Sequence, residues 1–203
     1  MMLEQVGDEL VQVRASGLGK LINVVSLQFR QYISLFQHIY EETGKTPALE
    51  EIEKDYSEFT SFNIVAQTFT AMIVEAFYFD YYHGKESKGR AEEWSKQSPI
   101  KQFEQLSENF LHATDYKDTD LYVKLNDLNK VRKRWVHNQT AQLGKYKKDL
   151  NYLSADGCVQ LLREFFSYFH SHDDTCYTAL ATYNALTQLQ IDYKGFCGNN
   201  ESS

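Results

Sequence analysis

The residues best suited to chemistry sit in one run, residues 126–139, NDLNKVRKRWVHNQ, where Arg132, Lys133 and Arg134 stand close to His137 and Asn138. Histidine titrates nearest to neutrality and can move a proton to or from a reacting oxygen. Arginine carries a permanent, planar charge matched to phosphate oxygens. Together they suit metal-free cleavage of RNA. His137 would act on the proton of a ribose 2′-hydroxyl, and Arg132 would hold the scissile phosphate. Attack of the 2′-oxygen on the adjacent phosphorus then leaves a cyclic phosphate and a free 5′-hydroxyl. Lys133, Arg134 and Asn138 are candidates to bind the same substrate. A structural reading competes, because cations and histidines in the last turns of a helix also complement its macrodipole.

Geometry limits the first reading. Leu121, Tyr122, Leu125, Leu128, Val131, Trp135 and Val136 recur at helical spacing, so Arg132 and His137 belong to one helix. Five residues turn a regular helix by about 140° from its starting direction, so the two do not share a face. They converge if the helix is distorted, if Arg132 reaches round, or if a second copy of the chain completes the site. A two-fold dimer makes the last arrangement natural, since one patch then meets itself.

The elements that must position this run read as helices. From Leu18 to about Thr43 the apolar residues trace one broad face, and Gly44 is a plausible stop. Pro47 opens a short acidic helix or loop. Residues 61–83 form the most apolar stretch, a central helix buried on more than one side. Glu75 lies inside it, and is either part of a surface stripe or an acidic partner for the arginines downstream. Residues 84–97 read as a polar loop. Ser98 and Pro99 start a shorter helix that is expected to end near Tyr116. Thr119 and Asp120 are cap candidates for the pivotal helix, which is expected to reach about Gln142, with Gly144 ending it. Ser154 starts another helix, broken by Asp173 and Asp174, and Cys176 to Ile191 outline the last. The expected fold is an all-α antiparallel bundle of about five to six helices, residues 18–194. A lead-in of no firm state covers residues 1–17, and residues 195–203 are a flexible tail.

Bulk composition agrees. Of 203 residues, 42% are hydrophobic and 14% aromatic, which is ample for a packed core. Two prolines and ten glycines are too few for a turn-rich β fold. A net charge of −7 disfavours general coating of nucleic acid, while a local basic cluster still suits a short RNA segment. Three cysteines (Cys158, Cys176, Cys197) do not make a disulfide framework, and an odd count suits a reducing compartment. Residues 1–10 lack a secretory pattern, and the apolar stretches are interrupted before the roughly 20 residues that span a bilayer. The expectation is a soluble, cytoplasmic protein without membrane association.

The run LNDLNKVRKRWVHN resembles the signature of the HEPN superfamily (higher eukaryotes and prokaryotes nucleotide-binding domains), α-helical bundles with an Arg, four to six residues, then His. Arg132 and His137 match with four residues between. The preceding leucines and the aromatic helix containing Glu75 are similar in style, so the resemblance extends over about residues 18–170. It implies a metal-independent ribonuclease that needs no cofactor, of the kind found in toxin–antitoxin, abortive-infection and other defence systems. It also implies a homodimer with paired motifs, RNA as substrate, a possible cognate antitoxin protein, and Arg132 with His137 as the catalytic pair. The chain departs from the pattern at Lys133, where Asn, Asp or His is common, and at Gln139, where toxins paired with a minimal nucleotidyltransferase carry tyrosine. The first departure leaves room for a non-catalytic module that binds RNA, nucleotide or protein.

Other constellations carry less. His170, His172, Asp173 and Asp174 alternate in a loop without a second ligand pair, and Asp80 with His83 has no matching Glu-x-x-His, so no metal is assigned. Cys158, near a helix start, reads first as core, with a lowered pKa as the alternative.

Overall fold

The computed structural model describes residues 2–6, 9–14, 17–136 and 153–197. The body is an all-α bundle. Eight α-helices are present among the described residues: α1 (Leu18–Thr43), α2 (Leu49–Asp55), α3 (Ser57–Lys85), α4 (Lys88–Trp94), α5 (Pro99–Asn109), α6 (Asp120–Val136), α7 (Ala155–His172) and α8 (Tyr177–Cys197). Six of these are long, and α2 and α4 have seven residues each. An antiparallel hairpin, β1 (Met2–Val6) and β2 (Glu9–Arg14), precedes the bundle where the sequence suggested no definite state.

Local signals set several helix ends. α1 stops at Gly44, whose φ of 68° is left-handed and whose N–H bonds the Tyr40 carbonyl at 2.8 Å. Glycine takes that conformation without the Cβ clash other residues meet. Pro99 opens α5, where a missing N–H is harmless. The Ser154 hydroxyl accepts from the Gly157 N–H at 3.1 Å and caps α7.

Two expectations are corrected. Residues 84–97 are not a loop throughout, because α4 buries Ala91 and Trp94. Trp94 stacks on Tyr82 of α3 with centroids 4.2 Å apart and rings within 9° of parallel. Two apolar residues in seven are too few to show a period, so only the packing partner reveals this helix. Nor does α5 reach Tyr116. Its last turn closes through Leu106 O accepting from Leu111 N–H and Ser107 O accepting from Ala113 N–H, and His112 turns left-handed at φ 53°. A 3₁₀ turn, Tyr116–Asp118, then leads into α6.

The hub is α3, on which α1, α2, α4, α5, α6 and α7 all pack. By length and composition α3 is the one helix among the described residues apolar enough to cross a membrane. Here its buried side, including Phe59, Ile73, Val74, Phe77 and Tyr78, faces neighbouring helices. Phe77 meets the edges or faces of Phe165, Phe166 and Phe169 of α7 at 5.4, 5.1 and 4.8 Å. These near-perpendicular contacts match the quadrupoles of the rings. Polar links fix the register of the same pair. Gln67 Nε2 donates to the Leu153 carbonyl at 2.8 Å, and the Ala155 N–H donates to Asn63 Oδ1 at 2.9 Å. α6 is tied to α7 by Lys124, which donates to both carboxylate oxygens of Glu164 at 2.8 and 2.7 Å.

Candidate functional site

The face that α6 turns to the bundle carries Leu121, Leu125, Leu128 and Val131, all buried. Their spacing places Arg132 at the edge of that face, one turn after Leu128 and Asn129. Across the seam, α3 presents Glu75 between the buried pairs Ile73–Val74 and Phe77–Tyr78. The two side chains meet there: Arg132 Nη1 and Glu75 Oε1 form an ion pair. Of the two open alternatives for Glu75, the structure therefore realises the acidic partner.

The pair is only half-buried, with 34% of the Arg132 side chain and 27% of the Glu75 side chain exposed. Glu75 Oε1 is shielded from solvent, and the Arg132 guanidinium is the charged group that meets it. Burial pushes the Glu75 carboxyl above the usual carboxylate range, and the attraction of Arg132 offsets only part of that rise. The Glu75 carboxylate is thus disfavoured by its burial even with Arg132 beside it.

A small recess opens beside it, lined by Glu75 and Tyr78 of α3, Pro99 and Ile100 of α5, and Asn129 and Arg132 of α6. Its free space is about 10 Å³, room for about one water-sized group. Asn129 is 8% exposed, and its Oδ1 is buried without a hydrogen-bond partner. Buried amide oxygens are nearly always paired, so an orphan here needs a reason. Motif reading overlooked Asn129. The available signal was its offset of three residues before Arg132, on the margin of an otherwise apolar face. Tyr78, also on the recess, is deeply buried, and burial followed by the charge of Glu75 pushes its phenol well up, so it stays neutral.

The other sequence candidates distribute differently. Lys133 is exposed. One residue turns a helix by about 100°, so Lys133 leaves the seam that Arg132 occupies. The structure brings Arg132 and Glu75 together and does not bring Lys133 to them. The Arg134 side chain, His137, Asn138 and the expected continuation of α6 to Gln142 lie outside the described residues.

The cysteine alternative of a lowered pKa is corrected. Burial pushes the Cys158 thiol up to about 12, and Cys158 is fully enclosed between α7 and its neighbours. It fills space. Asp173, considered above among possible metal ligands, instead joins helices. It accepts from Tyr81 Oη at 2.6 Å and Lys85 Nζ at 2.9 Å, both on α3, and from Thr175 Oγ1 at 2.5 Å.

No family model, curated protein or solved structure matches this chain.

Proposed function

We propose that this protein is a metal-independent endoribonuclease of the HEPN type, with Arg132 holding the scissile phosphate and His137 moving the proton. The observation that carries the reading is the state of Arg132. Its guanidinium is half-buried at the α3–α6 seam and anchored by Glu75, not extended into solvent as a lone basic residue would be. An anchored guanidinium loses less side-chain entropy when it grips a phosphate, which is what a substrate-holding arginine needs. His137 follows the described end of α6 by one residue. The five-residue spacing of Arg132 and His137 in the sequence makes a homodimer part of the proposal, one copy supplying the arginine and the other the histidine.

A second reading rests on a specific observation. Glu75 already counters the charge of Arg132, and Lys133 stands apart on the exposed side. Both fit a non-catalytic module that binds RNA, nucleotide or a protein partner.

The discriminating experiment incubates purified protein with end-labelled RNA in EDTA and compares wild type with His137→Ala and Arg132→Ala. The nuclease reading expects cleavage products bearing cyclic phosphate ends, lost in both variants. Cleavage that persists unchanged in both removes the assignment. Binding without cleavage by the wild type selects the second reading.

A further inference from the structure

Away from the α3–α6 seam, a second hollow opens between the last turns of α3, helix α4 and the turn into α5. It holds about 440 Å³, is wide at the mouth, and is walled by Tyr82, Arg90, Glu93, Trp94, Lys96 and Gln97. That volume suits a ring system rather than a single ion. Its floor is aromatic and already fixed. Tyr82 and Trp94 lie parallel with centroids 4.2 Å apart, and Trp94 Nε1 donates to Gln105 Oε1 at 2.5 Å. Phe110 meets Tyr82 edge-on at 5.6 Å. The rim is cationic. Arg90 and Lys96 are each 71% exposed, Arg90 paired with Glu86 at 2.8 Å and Lys96 with Glu93 at 2.5 Å. Pairs this open contribute little and exchange readily for another anion. Two cations against the one carboxylate of Glu93 leave the lining net positive, on a chain whose net charge is −7. The hollow also lies in line with the seam. Tyr82 follows Glu75 by seven residues on α3, about 10 Å along the axis and within about 20° of the same direction. Residues 94–100 join the two places, Trp94, Lys96 and Gln97 lining the hollow and Pro99 and Ile100 lining the recess at Arg132.

We propose that this hollow is a second contact for the RNA strand, in which one base stacks against the Tyr82–Trp94 pair and the adjoining phosphates meet Arg90 and Lys96. The inference rests on the reading of Arg132 as a phosphate-binding residue, because the strand that leaves Arg132 along α3 is the one that arrives at the hollow. Exposed cations alone would suit any anion, and an aromatic floor alone would suit any apolar ring. A ring and its phosphate together are what a nucleotide presents. Stacking engages the face of any base, so this contact holds the strand and sets its direction without reading its sequence. It takes no part in the chemistry at the seam. Tyr82, Arg90 and Lys96 are here positioning residues for the strand.

The test uses the full-length chain carrying His137→Ala, in EDTA, so that the RNA stays intact. The probe is an oligouridine RNA with one internal 2-aminopurine, whose fluorescence falls when its base stacks. Affinity is read in parallel from the anisotropy of an end-labelled copy. Binding is expected to quench the 2-aminopurine. Tyr82→Leu should remove most of that quenching and weaken binding roughly fivefold, the low end for one stacked base. Tyr82→Phe keeps the ring and should do neither. Arg90→Gln changes an exposed side chain, so the fold tolerates it, and should weaken binding and lower its salt dependence. A melting curve for each variant identifies loss of the fold. Unchanged quenching and affinity in a folded Tyr82→Leu variant, or an unchanged affinity and salt dependence in Arg90→Gln, overturn the hollow as a contact and leave the seam untouched. The second probe is free 2-aminopurine riboside monophosphate. Its quenching at the concentration that saturates with RNA marks a site for a free nucleotide and overturns the strand assignment. Failure to bind the RNA at all overturns the RNA reading, and the hollow with it.

Discussion

Removing either partner of the Glu75–Arg132 pair should have unequal consequences. Exposed ion pairs contribute about 0–1 kcal/mol, while breaking a fully buried one costs about 3–5 kcal/mol. With 34% of Arg132 and 27% of Glu75 exposed, this pair lies between those limits. Arg132→Met leaves a shielded carboxylate without its counter-charge, and about 1–2 kcal/mol should be lost at pH 7. For a chain of this size that lowers the Tm by about 2–8 °C. Glu75→Gln removes the charge whose burial already outweighs the attraction of Arg132, so its effect should lie between no change and a gain of about 1 kcal/mol. In the double variant most of the Arg132→Met loss should return. The sign of the pH dependence follows from the raised Glu75 pKa. A carboxyl raised in the folded state destabilises it as a carboxylate, and that penalty vanishes below the ordinary glutamate value of about 4.3. Loss of Arg132 raises Glu75 further. The Arg132→Met deficit should therefore be largest at neutral pH and shrink as the solution is acidified towards that value. Urea denaturation of the four proteins at pH 7 and near pH 4.3 measures all of this. Equal losses for Glu75→Gln and Arg132→Met, unchanged between the two pH values, would refute the account of the pair as a charge held against its own desolvation.

Two further expectations concern the frame. Burial pushes the Asp173 carboxyl up, but hydrogen bonds from Thr175, Tyr81 and Lys85 outweigh this and hold it at about 2. A depressed carboxyl stabilises the fold above its ordinary value and loses that contribution as pH falls from about 4 to about 2, so Asp173→Asn, with solvent screening of this partly open site taken into account, should cost about 1 kcal/mol at pH 7 and almost nothing at pH 2. Denaturation at the two pH values checks this, and a deficit independent of pH would contradict it. Phe77→Ala empties the aromatic junction of α3 and α7 and should cost about 3–5 kcal/mol, with a loss below 1 kcal/mol in urea melts arguing that the junction is not packed as described.

The span of α1 and the starts of α5 and α7 were legible in the chain because their causes are local. α1 follows its apolar period from Leu18 to Thr43 and stops at Gly44, and the serines before α5 and α7 stand where those helices begin. The chemical types of Arg132 and His137 are likewise properties of the sequence alone. What the tertiary structure decided is which groups meet. Glu75 is compatible with a solvent stripe until α6 packs on α3 and brings Arg132 to it. Asn129 is an ordinary polar helix residue until the same packing strips water from its amide oxygen. α4 became visible only once Trp94 had Tyr82 to stack on. A period or a cap is written in neighbouring residues, whereas desolvation and charge pairing depend on segments far apart in the chain, and only the fold places those in contact.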